Sequence, residues 1–408
     1  MDEERLPDVP GFGTRALRAA GRQPRVEQEP DAVPIYQAVT FSSEDARELG
    51  DILSDRQAGY AYARLDNPTA VALAEAVAEL EGAPAGYAFS SGMAAIHAAL
   101  VSLLRSGDHV VCTRAVYGSV HHLLDQLLRG MGIETTFVDP TDLGAVEAAI
   151  RPNTRLLYLE TISNPTIVVA DLASLVELGH RRGLLVAVDN TFASPYVCRP
   201  IELGADLVVE SCTKWLAGHS DVLAGVLVGR PELVAAARQV QIDTGGSLAP
   251  FSAFLVLRGI QTLHVRMERH SASAAAVARF LEAADGVRQV YYPGLPSHPQ
   301  YAHAQRLLSL GGGMLAFDLG DRLTAAAFLD ALRLPPRTAS LGSVRTICVH
   351  PPSMTHRQLD EHQLAEAGIP AGLVRVSVGL EDLPDLLADF EGGLLAARTV
   401  PAGQRQSV

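Results

Sequence analysis

Two patterns of apolar and polar positions alternate along the first two thirds of this chain. Short apolar runs bounded by turn residues are typical of buried strands, and the stretches between them place apolar residues three or four positions apart, as amphipathic helices do. The predicted strands cover Tyr87–Phe89, His109–Cys112, Arg155–Glu160, Leu184–Asp189 and Leu207–Ser211. The predicted helices cover Val71–Leu80, Met93–Leu104 and Val120–Arg129. This alternation predicts an α/β fold with a mostly parallel sheet flanked by helices.

The pattern changes after about residue 255. A long helical stretch there is followed by strands and helices in mixed order. The predicted elements are Phe251–Ala284, Val287–Tyr291, Met314–Leu319, Thr324–Leu332, Leu373–Val378 and Leu383–Ala396. One more apolar run, Val226–Val228, is predicted to be an edge strand of the first sheet. We therefore predict an irregular N-terminal arm at 1–60, a large domain at 61–255 and a smaller α+β domain at 256–408.

The composition is that of a globular protein. Apolar residues make up 48% of the 408 residues and charged residues 19%, which is enough to build a large core. The net charge of −13 disfavours nucleic acid and anionic membranes as partners. No run approaches the roughly 20 apolar residues of a membrane span, and the acidic first residues do not resemble a signal peptide.

The cysteines carry no sign of a metal, redox or disulfide framework. Cys112, Cys198, Cys212 and Cys348 are scattered, without a CxxC pair. Disulfides form mainly in oxidising compartments, so scattered cysteines are better explained as reduced core thiols. A cytoplasmic location is therefore expected.

Lysine is almost absent, because the chain has 32 arginines and a single lysine, Lys214. This lysine follows the apolar run that ends at Ser211, so we expect it at the carboxyl end of a buried parallel strand. Open α/β sheets bind their ligands at that end. Arginine cannot replace a lysine that must lose its proton and form an imine, since guanidinium stays charged. These points favour a functional lysine over a leftover surface one.

A carboxylate ends the preceding apolar run, at Asp189. Alone it could cap a turn, but lysine and aspartate at two strand ends are the pair that a pyridoxal phosphate enzyme needs. The lysine holds the aldehyde as a Schiff base, and the aspartate keeps the pyridine nitrogen protonated. The hydroxyls of Ser211 and Thr213 flank the lysine and suit a phosphate. The turn Ser90–Met93, between a strand and a helix, is either an anion site or an ordinary helix cap.

Motifs of competing enzyme classes are missing. No GxGxxG follows a predicted strand, and the chain has no GxxxxGK[ST], HExxH or GxSxG. Gly311–Gly313 precedes a predicted strand and is interpreted as a turn. His121, His122, His350 and His356 are expected on a helix surface and in a loop, so no metal site is predicted.

Nine segments match the motifs of one enzyme family in order and with its spacing. They are PIYQAVTF at 34–41, YARLDNPT at 62–69, FSSGMAAIHAAL at 89–100, VYGS at 116–119, ETISNP at 160–165, VDNTFASP at 188–195, SCTKWLAGHSDV at 211–222, HPPSMTH at 350–356 and LVRVSVGLEDL at 373–383. The chain thus resembles the cystathionine γ-synthase/γ-lyase group of Cys/Met metabolism enzymes. The resemblance implies a fold-type-I architecture, pyridoxal 5′-phosphate as cofactor and a homotetramer built as a dimer of dimers.

The resemblance also implies roles for single residues. Lys214 would hold the cofactor and move protons on the substrate, and Asp189 would bind the pyridinium nitrogen. The other cofactor-binding residues implied are Tyr62, Arg64, Gly92, Met93, Tyr117, Asn164, Ser211 and Thr213. Two of these, Tyr62 and Arg64, would reach the phosphate of a neighbouring subunit. Tyr117 would stack on the ring and assist catalysis at the leaving group.

The rest of the implied site concerns the substrate. Glu160 would lie near Asn164 at the cofactor's 3′-oxygen. Arg375, helped by Ser340, would bind the substrate α-carboxylate in the bidentate fashion that guanidinium allows. The reaction would be γ-replacement or γ-elimination on an L-homoserine-derived or sulfur amino acid.

Two departures from the family bear on the choice between these reactions. Family members that handle cystathionine usually carry a glutamate where this chain has Arg345, and a cation there would favour an anionic or neutral γ-substituent. Methionine γ-lyases typically have a cysteine where this chain has Ser119. The sequence therefore narrowly favours an O-acylhomoserine sulfhydrylase or a cystathionine γ-synthase-like enzyme. A γ-lyase on a sulfur amino acid is the alternative, as is an Arg345 that points to solvent.

Overall fold

The structure is a computed structural model that describes residues 30–357 and 359–401. The chain divides into two units, Met1–Pro34 and Ile35–Val408. Residues 30–34 are the described part of the first unit, and they are exposed and irregular. The first half of the predicted arm lies outside the described residues.

Two β-sheets organise the second unit. The strands are β1 Ala85–Phe89, β2 His109–Thr113, β3 Glu134–Val138, β4 Thr154–Glu160, β5 Leu185–Asp189, β6 Leu207–Glu210, β7 Gly225–Gly229, β8 Gln289–Tyr291, β9 Met314–Asp318, β10 Ile347–Val349 and β11 Leu373–Ser377. Within the described residues the large sheet has the order β1-β7-β6-β5-β4-β2-β3 and the small sheet β10-β11-β9-β8. Strands β2 to β6 pair in parallel, and the small sheet is antiparallel.

Helices cover both sheets. They are α1 Ala46–Leu53, α2 Pro68–Glu81, α3 Gly92–Leu103, α4 Gly118–His122, α5 Leu143–Ala148, α6 Leu172–Arg181, α7 Pro231–Thr244, α8 Pro250–Ile260, α9 Leu263–Glu282, α10 Tyr301–Leu307, α11 Arg322–Ala331, α12 Glu361–Glu366 and α13 Leu383–Arg398. A π-helical segment, Leu123–Leu128, continues α4. Helix α2 packs on one face of the large sheet and α3 with α7 on the other, so β5 and β6 are buried on both faces. The predicted α/β fold is confirmed.

One strand was predicted at the right residues but at the wrong position in the sheet. The run Val226–Val228 lies within β7, which pairs antiparallel with both β1 and β6 and is therefore interior rather than at an edge. All five of its residues are buried, as expected for an apolar run without polar alternation. The edge was assigned wrongly because β1, the true edge strand, is far away in the sequence and joins β7 only in the folded chain.

The long helical stretch after residue 250 is two helices that break at Gln261 and Thr262. Near the break, Gly259 lies against the backbone that follows Lys214, since a Cβ there would meet the carbonyl oxygens of Ala217 at 2.4 Å and Leu216 at 2.6 Å. The end of α8 therefore packs directly against the segment that follows Lys214. The domain boundary at 255 stays a prediction: β1–β7 precede it and β8–β11 follow it.

The composition-based expectations concern the cysteines, metal ligands and membrane spans. The four cysteines are buried and unpaired. No group of three or more metal-binding side chains occurs in the described ranges. Among those same residues, no helix has the length and apolar character needed to cross a membrane.

Candidate active site

A cavity of about 350 Å³ lies at the carboxyl edge of the large sheet. Three parallel strands end there, and the segment before β10 closes the other side. The predicted site residues that line this cavity are Gly92, Met93, Tyr117, Asn164, Asp189, Ser211, Thr213, Lys214, Ser340 and Arg375. Positions from 92 to 375 thus meet in one place, where parallel strands bring the segments of Asp189 and Lys214 together and the small antiparallel sheet supplies Arg375.

Lys214 lies four residues after the end of β6, in a turn in which its amide donates to the carbonyl of Ser211 at 3.0 Å. Its Nζ donates to Oγ of Ser340 at 2.7 Å. Burial, followed by the charge of Arg375, lowers the pKa of this amine to about 8, against the opposing effect of Asp189. At a given pH a larger fraction of this amine is therefore neutral than for an ordinary lysine, and the neutral amine is the form that adds to a carbonyl group.

Asp189 ends β5 and is buried in the cavity wall. Its Oδ1 accepts from the amide of Thr191 at 2.9 Å, and the hydroxyl of Thr191 accepts from the amide of Ser211 at 2.9 Å. Burial raises the pKa of Asp189. None of the ion pairs in the described part of the chain includes Asp189, so this carboxylate retains capacity for a cationic ligand group.

Glu160 is a second buried carboxyl group, at the end of neighbouring β4. Its two oxygens accept from the amides of Tyr117 at 2.8 Å and Asn164 at 3.0 Å. Burial and then the charge of Asp189 raise the pKa of Glu160 well above its usual range. The carboxyl group thereby fixes the two loops that carry Tyr117 and Asn164 over the cavity.

The amino end of helix α3 faces the same cavity. Ser91 caps this helix by accepting from the amide of Ala94 at 3.1 Å, which leaves the amides of Gly92 and Met93 free for a ligand. A Cβ at Gly92 would meet Cβ of Ser211 at 2.8 Å, so only glycine lets the two segments approach this closely. Free amides, the helix dipole and the hydroxyl of Ser211 together suit an anion, whereas the hydroxyl of Thr213 donates to the carbonyl of Ala224 at 3.3 Å.

Arg375, in the middle of β11, supplies the cation on the opposite wall. Its Nη1 donates to Oδ1 of Asn164 at 2.7 Å and its Nη2 to the carbonyl of Ser340 at 2.9 Å. The ring of Phe192 lies 5.8 Å from the guanidinium carbon. Burial lowers the pKa of Arg375 to about 10, and its buried Nε has no partner in the described residues. An unpartnered donor on a buried guanidinium fits a carboxylate ligand.

Ser340 joins the two cations through both its hydroxyl and its carbonyl group. Its φ of 130° lies in a region that side chains rarely adopt. Two residues on, a Cβ at Gly342 would meet the amide nitrogen of Trp215 at 2.6 Å. The segment before β10 is therefore pressed directly onto the backbone beside Lys214.

Three predicted residues are not at this cavity within the single chain. Tyr62 and Arg64 are exposed and pair with each other, with the guanidinium 5.7 Å from the ring centre. Arg64 also donates to the carbonyl of Ile242. Arg345 is exposed and is not among the residues that line the cavity.

Sequence reasoning overlooked several residues that shape the site. Thr191 bridges the strand ends of Asp189 and Ser211, although it stood within a matching motif. The apolar residues Ile96, Ile162 and Leu223 line the cavity and belong to no chemical motif. In the sequence, an apolar wall residue looks like any other core residue. Only its neighbours in the folded chain identify it as part of the cavity.

The residues present fit pyridoxal phosphate. The amides at Gly92 and Met93 suit its phosphate, and Lys214 is the amine that its aldehyde requires. The unpaired carboxylate of Asp189 suits a protonated ring nitrogen. The unpartnered Nε of Arg375 then remains for the carboxylate of an amino acid.

Comparisons with known proteins agree with this geometry. The profile of the Cys/Met metabolism PLP-dependent enzyme family matches residues 13–395. The chain is 42% identical to L-methionine γ-lyase of Porphyromonas gingivalis, over 94% of this chain and 97% of the relative. It is 44% identical to cystathionine γ-lyase of Bacillus subtilis (88% and 93% covered). It is 41% identical to O-succinylhomoserine sulfhydrylase of Pseudomonas aeruginosa (94% and 95% covered).

A solved structure shares the fold over most of its length. The crystal structure of a putative O-acetylhomoserine (thiol)-lyase from Campylobacter jejuni superposes with a TM-score of 0.87 at 32% identity, covering 89% of this chain and 95% of that one. It contains N′-pyridoxyl-lysine-5′-monophosphate, in which the cofactor is joined to a lysine. Fold, cavity chemistry and sequence agree, and the chain belongs to the Cys/Met metabolism PLP-dependent enzyme family.

Proposed function

We propose that this enzyme catalyses γ-elimination on a sulfur-containing L-amino acid, in the manner of a methionine or cystathionine γ-lyase. In the reaction, the Cγ–S bond of the substrate breaks and the sulfur leaves as a thiol. One water molecule is consumed, and the remaining carbon skeleton is released as 2-oxobutanoate and ammonia. L-methionine γ-lyases and a cystathionine γ-lyase are among the similar proteins, which supports this choice.

The observation that carries the proposal is the absence of a spare cation in the cavity wall formed by the described residues. The charged side chains there are Glu160, Asp189, Lys214 and Arg375. Each already has a use in holding loops, cofactor or α-carboxylate. The rest of the wall includes Met93, Ile96, Ile162, Leu223 and Leu341. An apolar wall suits the uncharged thioether of methionine better than the carboxylate of a succinyl ester, and for the same reason it favours methionine over cystathionine, which also ends in a carboxylate.

In the sequence, Arg345 is the residue that favours replacement over elimination. Its side chain is exposed and outside the cavity wall, so this reason does not apply to the substrate pocket of the single chain. Replacement on an O-acylated homoserine is the second candidate function. The 41% identity to a sulfhydrylase is the observation in its favour.

The chain's own residues divide the work as follows. When bound, the cofactor supplies an aldehyde for covalent capture of amines and an electron-accepting ring. Lys214 Nζ would hold the aldehyde carbon and, once freed by substrate, take the proton from Cα and carry protons at Cβ. Asp189 would hold the proton on the ring nitrogen. Arg375 would orient the substrate by its α-carboxylate, and Tyr117 would give a proton to the leaving sulfur.

We also propose that the active site is shared between subunits. Tyr62 and Arg64 are exposed and stand apart from the cavity of their own chain. A tyrosine hydroxyl and a guanidinium are both suited to a phosphate, so in a dimer they would complete the anion site of the partner. Four such chains would form the tetramer that the family resemblance implies. The four unpaired thiols support a reducing, cytoplasmic setting.

A substrate panel tests the reaction. L-methionine, L-cystathionine, O-acetyl- and O-succinyl-L-homoserine are each offered with and without sulfide, and the products are scored as 2-oxobutanoate or as a new sulfur amino acid. We expect 2-oxobutanoate from the thioethers, independent of sulfide. Formation of homocysteine from an acylhomoserine and sulfide, without turnover of either thioether, would establish replacement instead.

Arg345→Ala provides the matched control variant for this choice. Because Arg345 lies outside the cavity wall, its removal should leave kcat/KM for the thioethers within about two-fold, the range of surface substitutions. A decrease in kcat/KM of more than tenfold that is confined to O-succinylhomoserine would show instead that Arg345 contacts the substrate.

A further inference from the structure

A second buried polar cluster lies behind the cavity, on the other face of the large sheet. Glu81 is the last residue of α2, Asn190 follows β5 directly, and Glu210 ends β6. All three side chains are buried, at 0–1% exposure. Asp189 pairs with Val209, and side chains alternate along strands, so Asn190 and Glu210 project on the face opposite Asp189.

The hydrogen bonds in this cluster do not balance. Nδ2 of Asn190 lies 2.8 Å from Oε1 of Glu81, 2.8 Å from the carbonyl oxygen of Cys198 and 2.9 Å from Oε1 of Glu210. An amide group has two hydrogens, so three acceptors compete for two donors. The amide cannot be turned around to resolve this, because its Oδ1 accepts from the hydroxyl of Thr161 at 2.7 Å.

A second acceptor also lacks a donor. Oε2 of Glu81 is buried and has no hydrogen-bond partner in the described residues, although Oε1 of the same group lies 2.8 Å from Nδ2 of Asn190 and Oε1 of Glu210 lies 2.9 Å from that nitrogen. The two carboxyl groups are therefore close neighbours in a cluster that has more acceptors than donors. A buried acceptor without a donor is costly, and the cost rises further when both groups are ionised.

No cation compensates for the two carboxyl groups. Neither glutamate forms an ion pair within residues 30–357 and 359–401, and Arg199, whose charge lowers the pKa of Glu81, itself pairs with the exposed Glu202 at 2.6 Å. The other titratable neighbours are Asp189 and the thiols of Cys198 and Cys212, for which burial raises the pKa. Every neighbour except Arg199 is therefore neutral or negative.

We propose that Glu81 and Glu210 share one proton, so that the pair carries a single negative charge and, through Asn190, positions the strand end that bears Asp189. One glutamic acid then donates to the other glutamate, and the proton supplies the donor that the count lacks. The arrangement holds Asn190 from α2, from β6 and from the loop after β4 at once. Asp189 is its immediate neighbour in the chain.

The titration of the pair agrees with this geometry and fixes the sign of a pH effect. Burial raises the pKa of Glu81 to about 7, and that of Glu210 well above its usual range. A group whose pKa is higher in the folded than in the unfolded protein stabilises the fold below its unfolded pKa. For Glu81 that contribution is lost as the pH rises through about 7, and for Glu210 at higher pH. Above about 7 Glu81 is therefore ionised while Glu210 keeps the shared proton, and two adjacent buried charges arise only when that proton is also lost.

Glu81→Gln and Glu210→Gln, made separately, test the shared proton. Glutamine is isosteric with a protonated glutamate and keeps a donor that does not titrate. In thermal unfolding of the cofactor-loaded protein, each variant should match the wild type at pH 5 and melt several degrees above it at pH 8.5. Glu202→Gln, in an exposed ion pair nearby, is the control and should show no such divergence.

A Tm deficit of equal size at every pH in both glutamine variants would overturn the shared proton, because both carboxylates would then be needed in ionised form. Parallel melting curves of variant and wild type across the pH range would overturn it as well. Each variant replaces one of the two carboxyl groups that share the proton. If one variant fails to fold, the other still tests the proposal by itself.

The visible absorbance of the lysine-bound cofactor gives a readout of positioning that stability alone does not move. Its pH midpoint should be unchanged in either single variant, because the cluster keeps one negative charge. In Glu81→Gln/Glu210→Gln that charge is gone, so the protonated linkage loses favourable Coulomb energy and the midpoint should move to lower pH. An unchanged midpoint in the double variant, or an equal shift in a single variant, would contradict the proposed charge and its link to the site.

Discussion

Two buried arginines flank the lysine segment and serve opposite purposes. Arg266 and Arg375 are 4% and 3% exposed, and burial lowers the pKa of each to about 10. Neither forms an ion pair with a carboxylate in the described residues. Arg266 donates to the carbonyls of Trp215 at 2.6 Å, Leu216 at 3.2 Å and Gly259 at 2.6 Å, and its Nε to Thr262 at 3.1 Å.

Arg375 differs by what it leaves unused. Two of its nitrogens donate to Asn164 and Ser340, but its Nε faces no acceptor. A guanidinium whose three nitrogens all donate to groups of the chain stabilises the fold, and one with an unused nitrogen at a cavity is suited to a ligand. Burial and pKa are the same for both residues, so only the count of hydrogen bonds separates a structural cation from a binding one.

Lys214→Ala should have the largest effect. Arg266 donates to the backbone just after this residue, and Arg375 and Lys214 both donate to Ser340. We expect turnover to fall by at least about 10³-fold, because the variant would lack both the covalent attachment and the general base that we propose for Lys214. Steady-state rates measure this, and reduction of the cofactor-loaded wild type with borohydride should label Lys214. With no other lysine in the chain, a labelled side chain elsewhere or a fully active variant would refute the assignment.

Arg375→Ala should come next, with its effect on catalysis. Loss of a charge-assisted contact to the α-carboxylate should lower kcat/KM about 10²-fold, equivalent to roughly 3 kcal/mol. Arg375→Lys should restore little, because an ammonium group lacks the planar fork. The same loss on substrates whose α-carboxylate is replaced by an amide would show that Arg375 does not bind that group.

Arg266→Ala should lower stability more than catalysis, the reverse of Arg375→Ala. Three buried carbonyl groups lose their donors, which should lower the free energy of unfolding by at least about 2 kcal/mol. Urea unfolding measures this, with Arg375→Ala as the matched comparison. KM should change less than in Arg375→Ala. A variant at 266 that is as stable as the wild type but has a raised KM would remove the distinction between the two arginines.

The pH dependence of cofactor capture should show the smallest effect. The neutral amine is the attacking form, and the pKa of Lys214 is lowered to about 8 by burial and Arg375. In cofactor-free protein, the rate of capture should therefore rise with pH and level off just above 8. Stopped-flow absorbance provides the measurement. A rate that still rises steeply near pH 10 would indicate an ordinary lysine, whose pKa neither burial nor Arg375 has lowered.

Sequence patterns predicted the parallel strands well, because buried strands are continuous apolar runs and their ends carry the polar residues. Lys214 and Asp189 could be singled out for this reason, and their proximity follows from the pairing of β5 with β6. Two strands escaped prediction. The edge strand β3 mixes threonine with partly exposed positions, and β10 has only three residues. Neither presents a pattern longer than chance.

Local sequence determined the fold class, the strand ends and the residues with cofactor chemistry, since these depend on neighbours a few positions apart. Only the tertiary structure decided that β7 is interior, that Arg345 stands outside the cavity and that Asn190 faces three acceptors. Contacts such as Lys214 with Ser340, 126 positions apart, or Arg375 with Asn164, 211 apart, decide how donors and acceptors are shared. A residue's type limits the bonds it can make, but the folded chain determines which of those bonds remain free for a ligand.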